Sequence, residues 1–147
     1  MFGSLKKLFG GEEKEEKIIA APVSGTAIPM GQVSDPTFSQ EILGKGTAVI
    51  PSDGRVVAPA DGLVTMVFDT KHAISMQTDN GAELIIHIGL DTVQLKGQYF
   101  EAHVAAGDKV KQGDLLLDFE IDKIKEAGYD VTTPVIICNT PQFPKME

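Results

Sequence analysis

Three histidines occur in the chain, and two of them, His72 and His87, flank one short stretch that reads as a β-hairpin. Imidazole is the side chain best suited to accept and pass on a proton or an electrophilic group near neutral pH, so two of them face to face point to chemistry. Whether they meet depends on the hairpin register. Asp79-Asn80-Gly81 is a strong turn signal, and the runs AISMQ before it and AELIIHI after it have the branched, apolar character of strands. A two-residue loop at Asn80-Gly81 sets His87 opposite Ile74 and diagonal to His72, on the same sheet face. A four-residue loop from Thr78 to Gly81 sets His72 directly across from His87. A three-residue loop puts the two on opposite faces, because a one-residue slip inverts every side chain.

The rest of the chain must supply the frame that holds this hairpin. From Ile18 onward the sequence reads as short strands broken by Pro and Gly. Ala21-Pro22-Val23-Ser24-Gly25-Thr26 and Ala58-Pro59-Ala60-Asp61-Gly62-Leu63 are the same phrase at an offset of 37, which hints at internal duplication. Val110 to Phe119 carries two more strands punctuated by Gly107-Asp108 and Gly113-Asp114, and Pro134 to Cys138 reads as a last, buried strand. Helix is scarce. Pro36 after Asp35, with Phe38, Ile42 and Leu43 on one face and Gly44 beyond, predicts one short helix, and Asp122 to Ala127 closed by Gly128 predicts another. Many short strands with one or two short helices predict an all-β fold, an antiparallel β-sandwich or flattened barrel built on a duplicated motif. At 147 residues and 42% hydrophobic, the chain suits one compact domain.

Residues 1–17, MFGSLKKLFGGEEKEEK, differ in composition from the rest of the chain. Met1, Phe2, Leu5, Leu8 and Phe9 fall near helical spacing with Lys6 and Lys7 on the other side, ended by Gly10-Gly11. They read as a flexible or weakly amphipathic tail with at most weak membrane-surface contact, since so short a helix is marginal in water and the glutamates after it repel anionic lipid. The domain is expected to occupy 18–147. No apolar run approaches the roughly 20 residues of a bilayer helix, and no secretory cleavage pattern comes after the N-terminus, so a cytoplasmic protein is expected. Cys138, the single cysteine, excludes internal disulfides, and its PVIIC setting predicts a buried, inert thiol. A net charge of −8 argues against nucleic acid and suits docking on a basic protein. His103 reads as a surface residue.

The segment Gly81-x-x-Leu84-Ile85-Ile86-His87-Ile88-Gly89-Leu90-x-Thr92-Val93 resembles the phosphorylation-site signature of glucose-family IIA proteins of the bacterial sugar phosphotransferase system. The resemblance extends, in order, through Ala21-Pro22-x-x-Gly25, Phe38 with Gly44-x-Gly46, Asp53-Gly54, Ala58-Pro59-x-Asp61-Gly62, Lys71-His72-Ala73, Leu95-Lys96-Gly97, Gly107-x-x-Val110-x-x-Gly113-Asp114 and Thr133-Pro134-Val135. It covers roughly residues 18 to 140. Two departures stand out: Pro36-Thr37 replaces two apolar residues common in relatives, and the tail after Pro134-Val135 is shorter than in many of them.

The resemblance implies a β-sandwich phosphocarrier, a phosphotransferase-system component that accepts a phosphoryl group from phosphohistidine on HPr and gives it to a cysteine on the IIB domain of a sugar permease. It implies His87 as the phosphoryl acceptor, His72 as the donor beside it in the transition state, and Thr70 as the residue orienting His72. Phosphoryl transfer passes through a loose, in-line transition state, so a positioned nitrogen and nearby donors matter more than an acid or base. For His87 Nε2 to attack, its Nδ1 must hold the proton, and a backbone carbonyl near Gly89 is expected to fix that tautomer. Asp35, Phe38, Ile42, Phe68, Ile85 and Asp91 match the family's docking surface, the two aspartates meeting arginines on a partner. No cofactor is required, although His72 and His87 are possible zinc ligands at a protein contact. The sugar is never touched by such a domain, so the permease sets it.

Other classes compete. A zinc hydrolase built on the pair needs a third ligand such as Asp91 or Glu83, and no HExxH or CxxC is present. A lipoyl or biotinyl carrier with Asp69-Thr70-Lys71 at its hairpin tip has no use for His87. Two unreactive, hydrogen-bonded histidines are the plainest alternative. A regulatory protein-binding module is compatible with the carrier role, because relatives use one surface for both.

Overall fold

The computed structural model describes residues 21–39 and 45–138. The tail, the domain start at Ile18 and the helix positions Ile42, Leu43 and Gly44 lie outside them. The described chain folds into two antiparallel sheets. The larger is built from β1 (Gly25–Pro29), β2 (Lys45–Pro51), β10 (Thr133–Ile137), β6 (Glu83–His87), β5 (Ala73–Thr78), β4 (Gly62–Val67) and β8 (Lys109–Val110), in that spatial order. The smaller comprises β3 (Arg55–Val57), β9 (Leu115–Phe119) and β7 (Phe100–Ala102). Among the described residues, helix is limited to α1 (Pro36–Ser39), α2 (Ile121–Glu126) and two 3-10 turns, Met30–Gln32 and Thr92–Leu95. The expected β-sandwich with short helices is therefore present.

Alternation decides what lies inside. Along β6, Leu84 and Ile86 are buried while Glu83, Ile85 and His87 are not, the period-two pattern of a strand with one face on the core. Ile74, Met76, Leu84 and Ile86 of the large sheet share one buried cluster with Val56, Leu117 and Phe119 of the small one. A second cluster of Met30, Val33, Phe38, Ala48, Leu90 and Ile136 forms on the other side of β10. Val135 and Ile137 belong to the first cluster and Ile136 to the second, so both faces of β10 are covered. That explains its unbroken apolar run, with every residue buried.

The repeated phrase has a structural counterpart. Gly25 opens β1 opposite Pro51, and Gly62 opens β4 opposite Thr78. A Cβ on either glycine would run into a backbone carbonyl oxygen one residue before its partner, Ile50 in one case and Gln77 in the other. Ala21, Val23 and Ala58 lie buried ahead of these strands. Both copies thus use a side-chain-free residue for the same close approach of two backbones.

Two details differ from the sequence-based expectation. Cys138 is exposed rather than buried, because the chain leaves β10 at Ile137. Partial desolvation of its sulfur, and then the Glu83 carboxylate, still raise the thiol pKa, which keeps it a poor nucleophile. The second helix starts at Ile121, one residue early, with Ile124 wholly buried and Gly128 left-handed just beyond its end.

Candidate functional site

The hairpin β5–β6 closes through three residues. Gly81 N donates to Thr78 O at 2.9 Å, Thr78 N donates to Ala82 O at 2.8 Å, and Gly81 is left-handed at φ 97°. Thr78 Oγ1 accepts from Ala82 N at 2.9 Å and reaches the Asn80 side chain, which holds the loop closed. Ala73 accordingly pairs with His87 and Ile74 with Ile86. This is the register expected to part the histidines, and neither the two-residue nor the four-residue loop is adopted. The histidines meet nonetheless.

The reason lies at the strand ends. β5 begins only at Ala73, so His72 stands outside its alternation, in a turn where Lys71 is left-handed at φ 60° and Lys71 N donates to Phe68 O at 2.7 Å. His87 is the last residue of β6, and Gly89 beyond it is left-handed at φ 83°. The two loops replace the pleat where the rings meet. Their centroids lie 4.8 Å apart with planes at 82°. His72 is buried, at 6% exposure, and His87 is half-buried.

Each ring commits the same nitrogen. His87 Nδ1 lies 2.7 Å from Gly89 O, and a carbonyl can only accept, so Nδ1 carries the proton and Nε2 keeps its lone pair. That is the carbonyl expected from the sequence. His72 Nδ1 lies 2.5 Å from Thr70 Oγ1, which leaves its Nε2 uncommitted as well. Burial, then the His87 charge, lowers the His72 pKa to about 4. Burial also lowers that of His87, opposed in turn by the Gly89 carbonyl, Asp35 and Asp91. Both imidazoles are neutral at pH 7.

Aromatic rings bracket the pair. Phe38 packs at 4.9 Å from His87 and Phe68 edge-on at 5.5 Å from His72. Phe38 is buried in the second apolar cluster, which fixes its ring. Ile85 lies two residues before His87 on the same face of β6. Asp35 and Asp91 are close enough to raise the His87 pKa, and Asp91 is exposed. Ile42, expected on this surface, lies outside the described residues. Sequence reasoning did not foresee the part played by Thr92, which is wholly buried and donates to Ile88 O at 2.5 Å, although Thr92 stands in the signature around His87.

Among the described residues, the grouping of side chains close enough to share a cation is Glu101, His103 and Asp118, which includes neither His72 nor His87. His103 Nε2 lies 2.9 Å from Asp118 Oδ2 on the surface. The groove between Ser52–Gly54 and α2 contains neither His72 nor His87.

Comparison with known proteins agrees with this fold. Residues 17–143 match the family described as phosphoenolpyruvate-dependent sugar phosphotransferase system, EIIA 1. The chain belongs to that family. Its members transfer phosphoryl groups through a histidine and need no cofactor. The glucose-specific EIIA component of Halalkalibacterium halodurans is 47% identical over 150 residues, 97% of this EIIA chain and 87% of that protein. The β-glucoside-specific EIIBCA component of Bacillus subtilis (strain 168) is 51% identical over 131 residues, 89% of this chain but 22% of that longer protein. Among solved structures, the glucose permease IIA of Mycoplasma capricolum matches with a TM-score of 0.77 at 37% identity, over 82% of this chain and 79% of that one. No helix among the described residues of the EIIA chain is long and apolar enough to cross a membrane.

Proposed function

We propose that this chain carries a phosphoryl group on His87 Nε2, taken from phosphohistidine on HPr and given to a cysteine on the IIB domain of a sugar permease. The observation that carries the reading is the pair of neutral imidazoles in contact, each with Nδ1 engaged and Nε2 left for the reaction. In the first step the lone pair of His87 Nε2 attacks phosphorus while the phosphorus–nitrogen bond to HPr breaks. In the second, the IIB thiolate attacks and the bond to His87 Nε2 breaks, returning the lone pair. Phosphoryl charge spreads over the equatorial oxygens as each bond loosens. If the Thr70 hydroxyl proton points to His72 Nδ1, the single proton of neutral His72 sits on Nε2, aimed for donation to one of those oxygens.

His72 stays neutral because burial disfavours its charge, which costs a fixed donor nothing and avoids placing two cations in contact. Phe38, Phe68 and Ile85 offer an apolar rim and Asp35 and Asp91 an acidic one for a basic partner. The EIIBCA relatives carry EIIA and EIIB in one protein by name, which supports a IIB domain as acceptor here. Transfer needs no metal, and a zinc ion on the pair would require a ligand from the partner. The reading puts the chain in the cytoplasm, as is usual for EIIA domains.

The test is incubation of the purified chain with phosphoenolpyruvate, enzyme I and HPr, then intact mass and acid-lability of the adduct. Wild type and His72→Gln gain one acid-labile phosphoryl group, His87→Gln gains none, and His72→Gln passes its group poorly to IIB. Absence of an adduct on wild type overturns the reading.

A further inference from the structure

The signature around His87 contains a residue, Thr92, that the transfer chemistry itself does not use. We propose that Thr92 is a positioning residue, which locks the 88–92 turn so that the Gly89 carbonyl holds His87 in the Nδ1–H tautomer. This rests on reading His87 as the phosphoryl acceptor.

The turn is tied at successive peptides. Ile88 N donates to His72 O at 2.7 Å, so the peptide just after His87 is fastened to the backbone of His72. The carbonyl of Ile88 accepts the Thr92 hydroxyl at 2.5 Å. Further along, Leu90 N donates to Asp130 O at 2.9 Å. Gly89 lies between these anchors, left-handed at φ 83°, and its carbonyl is the one that receives His87 Nδ1. A Cβ at Gly89 would lie 2.5 Å from Thr92 Cγ2 and 2.9 Å from Asp130 O. Nothing larger than glycine fits, and the peptide is boxed in from both sides.

The two branches of Thr92 thus do separate work. Its methyl walls in Gly89 and its hydroxyl satisfies the Ile88 carbonyl, at a site with no solvent exposure. Without the hydroxyl, a buried carbonyl loses its partner and the turn gains by moving toward water or another donor. Any rotation of the neighbouring peptide swings the Gly89 carbonyl off His87 Nδ1. Neutral imidazole then distributes its proton over both nitrogens, and each molecule protonated at Nε2 has no lone pair to offer phosphorus. Thr92 touches neither phosphoryl group nor partner in this scheme.

The valine and serine variants separate the branches: Thr92→Val keeps the shape without the hydroxyl, and Thr92→Ser keeps the hydroxyl without the methyl. The chain is labelled with 15N-histidine, the His87 signals are assigned by their loss in His87→Gln, and spectra are taken above pH 7. Wild type and Thr92→Ser give a single Nδ1–H form, whereas Thr92→Val gives a mixture and accepts phosphoryl groups from HPr about tenfold or more slowly. An unchanged single tautomer in folded Thr92→Val overturns the proposal. Should Thr92→Val fail to fold, Thr92→Cys takes its place, being of similar size with only a weak S–H donor, and the same outcomes decide. If wild type accepts no phosphoryl group, the carrier reading falls, yet the tautomer spectra still decide what Thr92 does.

Discussion

His72 and His87 stand edge to face with centroids 4.8 Å apart, and each gives Nδ1 to a partner two residues away on its own loop, Thr70 or Gly89. The two partners differ in kind. A carbonyl fixes the tautomer of His87 outright, whereas a hydroxyl can serve His72 as donor or acceptor. The ring of His87 is thus rigidly set and that of His72 remains adaptable, which suits the proposed carrier that would receive from one partner and give to another.

Thr70→Val removes the hydroxyl beside His72 Nδ1 and leaves the His87 side untouched. Phosphorylation of His87 by HPr continues, while single-turnover transfer to IIB slows by about ten- to a hundredfold through misplacement of the His72 donor. Thr70→Ser restores most of the rate. Equal slowing of both half-reactions would contradict the division of roles.

His72 makes stability depend on pH in a defined sense. Its folded-state pKa of about 4 lies below the usual imidazole value near 6.5, so the unfolded chain binds the proton more readily. The contribution is whole above about pH 6.5 and is lost as pH falls toward 4, amounting to on the order of 3 kcal/mol. Urea unfolding at several pH values is expected to give a steeper acid loss for wild type than for His72→Gln. Parallel curves would refute it.

The carboxylates of Asp35 and Asp91 raise the His87 pKa against the larger lowering by burial. Asp35→Asn with Asp91→Asn should therefore move it further down, extending the lone pair, and acceptance from HPr at saturating donor, to lower pH. Proton NMR titration of the His87 ring reads the shift. The same double variant is expected to weaken docking at low salt, because the acidic rim is lost.

Gly62→Ala forces a methyl group into the Gln77 carbonyl, and Gly25→Ala does the same at Ile50. Each should cost about 1–3 kcal/mol in denaturant unfolding, as overpacking does. Gly31→Ala, with open space around it, serves as the neutral control. Matching losses at the two glycines would support the duplicated motif as a shared construction.

The residues to which the proposed transfer is assigned, and most of the strands that hold them, could be read from the amino-acid sequence. The motif around His87 is local, and alternating burial along β6, the apolar run of β10 and the glycine after β6 are written in neighbouring residues. The tautomer partner was legible for the same reason, since Gly89 lies two residues from His87. The register was not, because loop length turns on the closing pair Thr78–Ala82 and the left-handed Gly81, and several loops fit the same turn residues. Nor was it legible that the histidines would meet in spite of that register, since His72 lies beyond the strand end where pleat rules cease. Folding in three dimensions brought Phe38 onto His87, tied Leu90 to Asp130, buried Thr92 and left Cys138 exposed. Those relationships join residues distant in the chain or depend on where a sheet ends, and packing alone decides them.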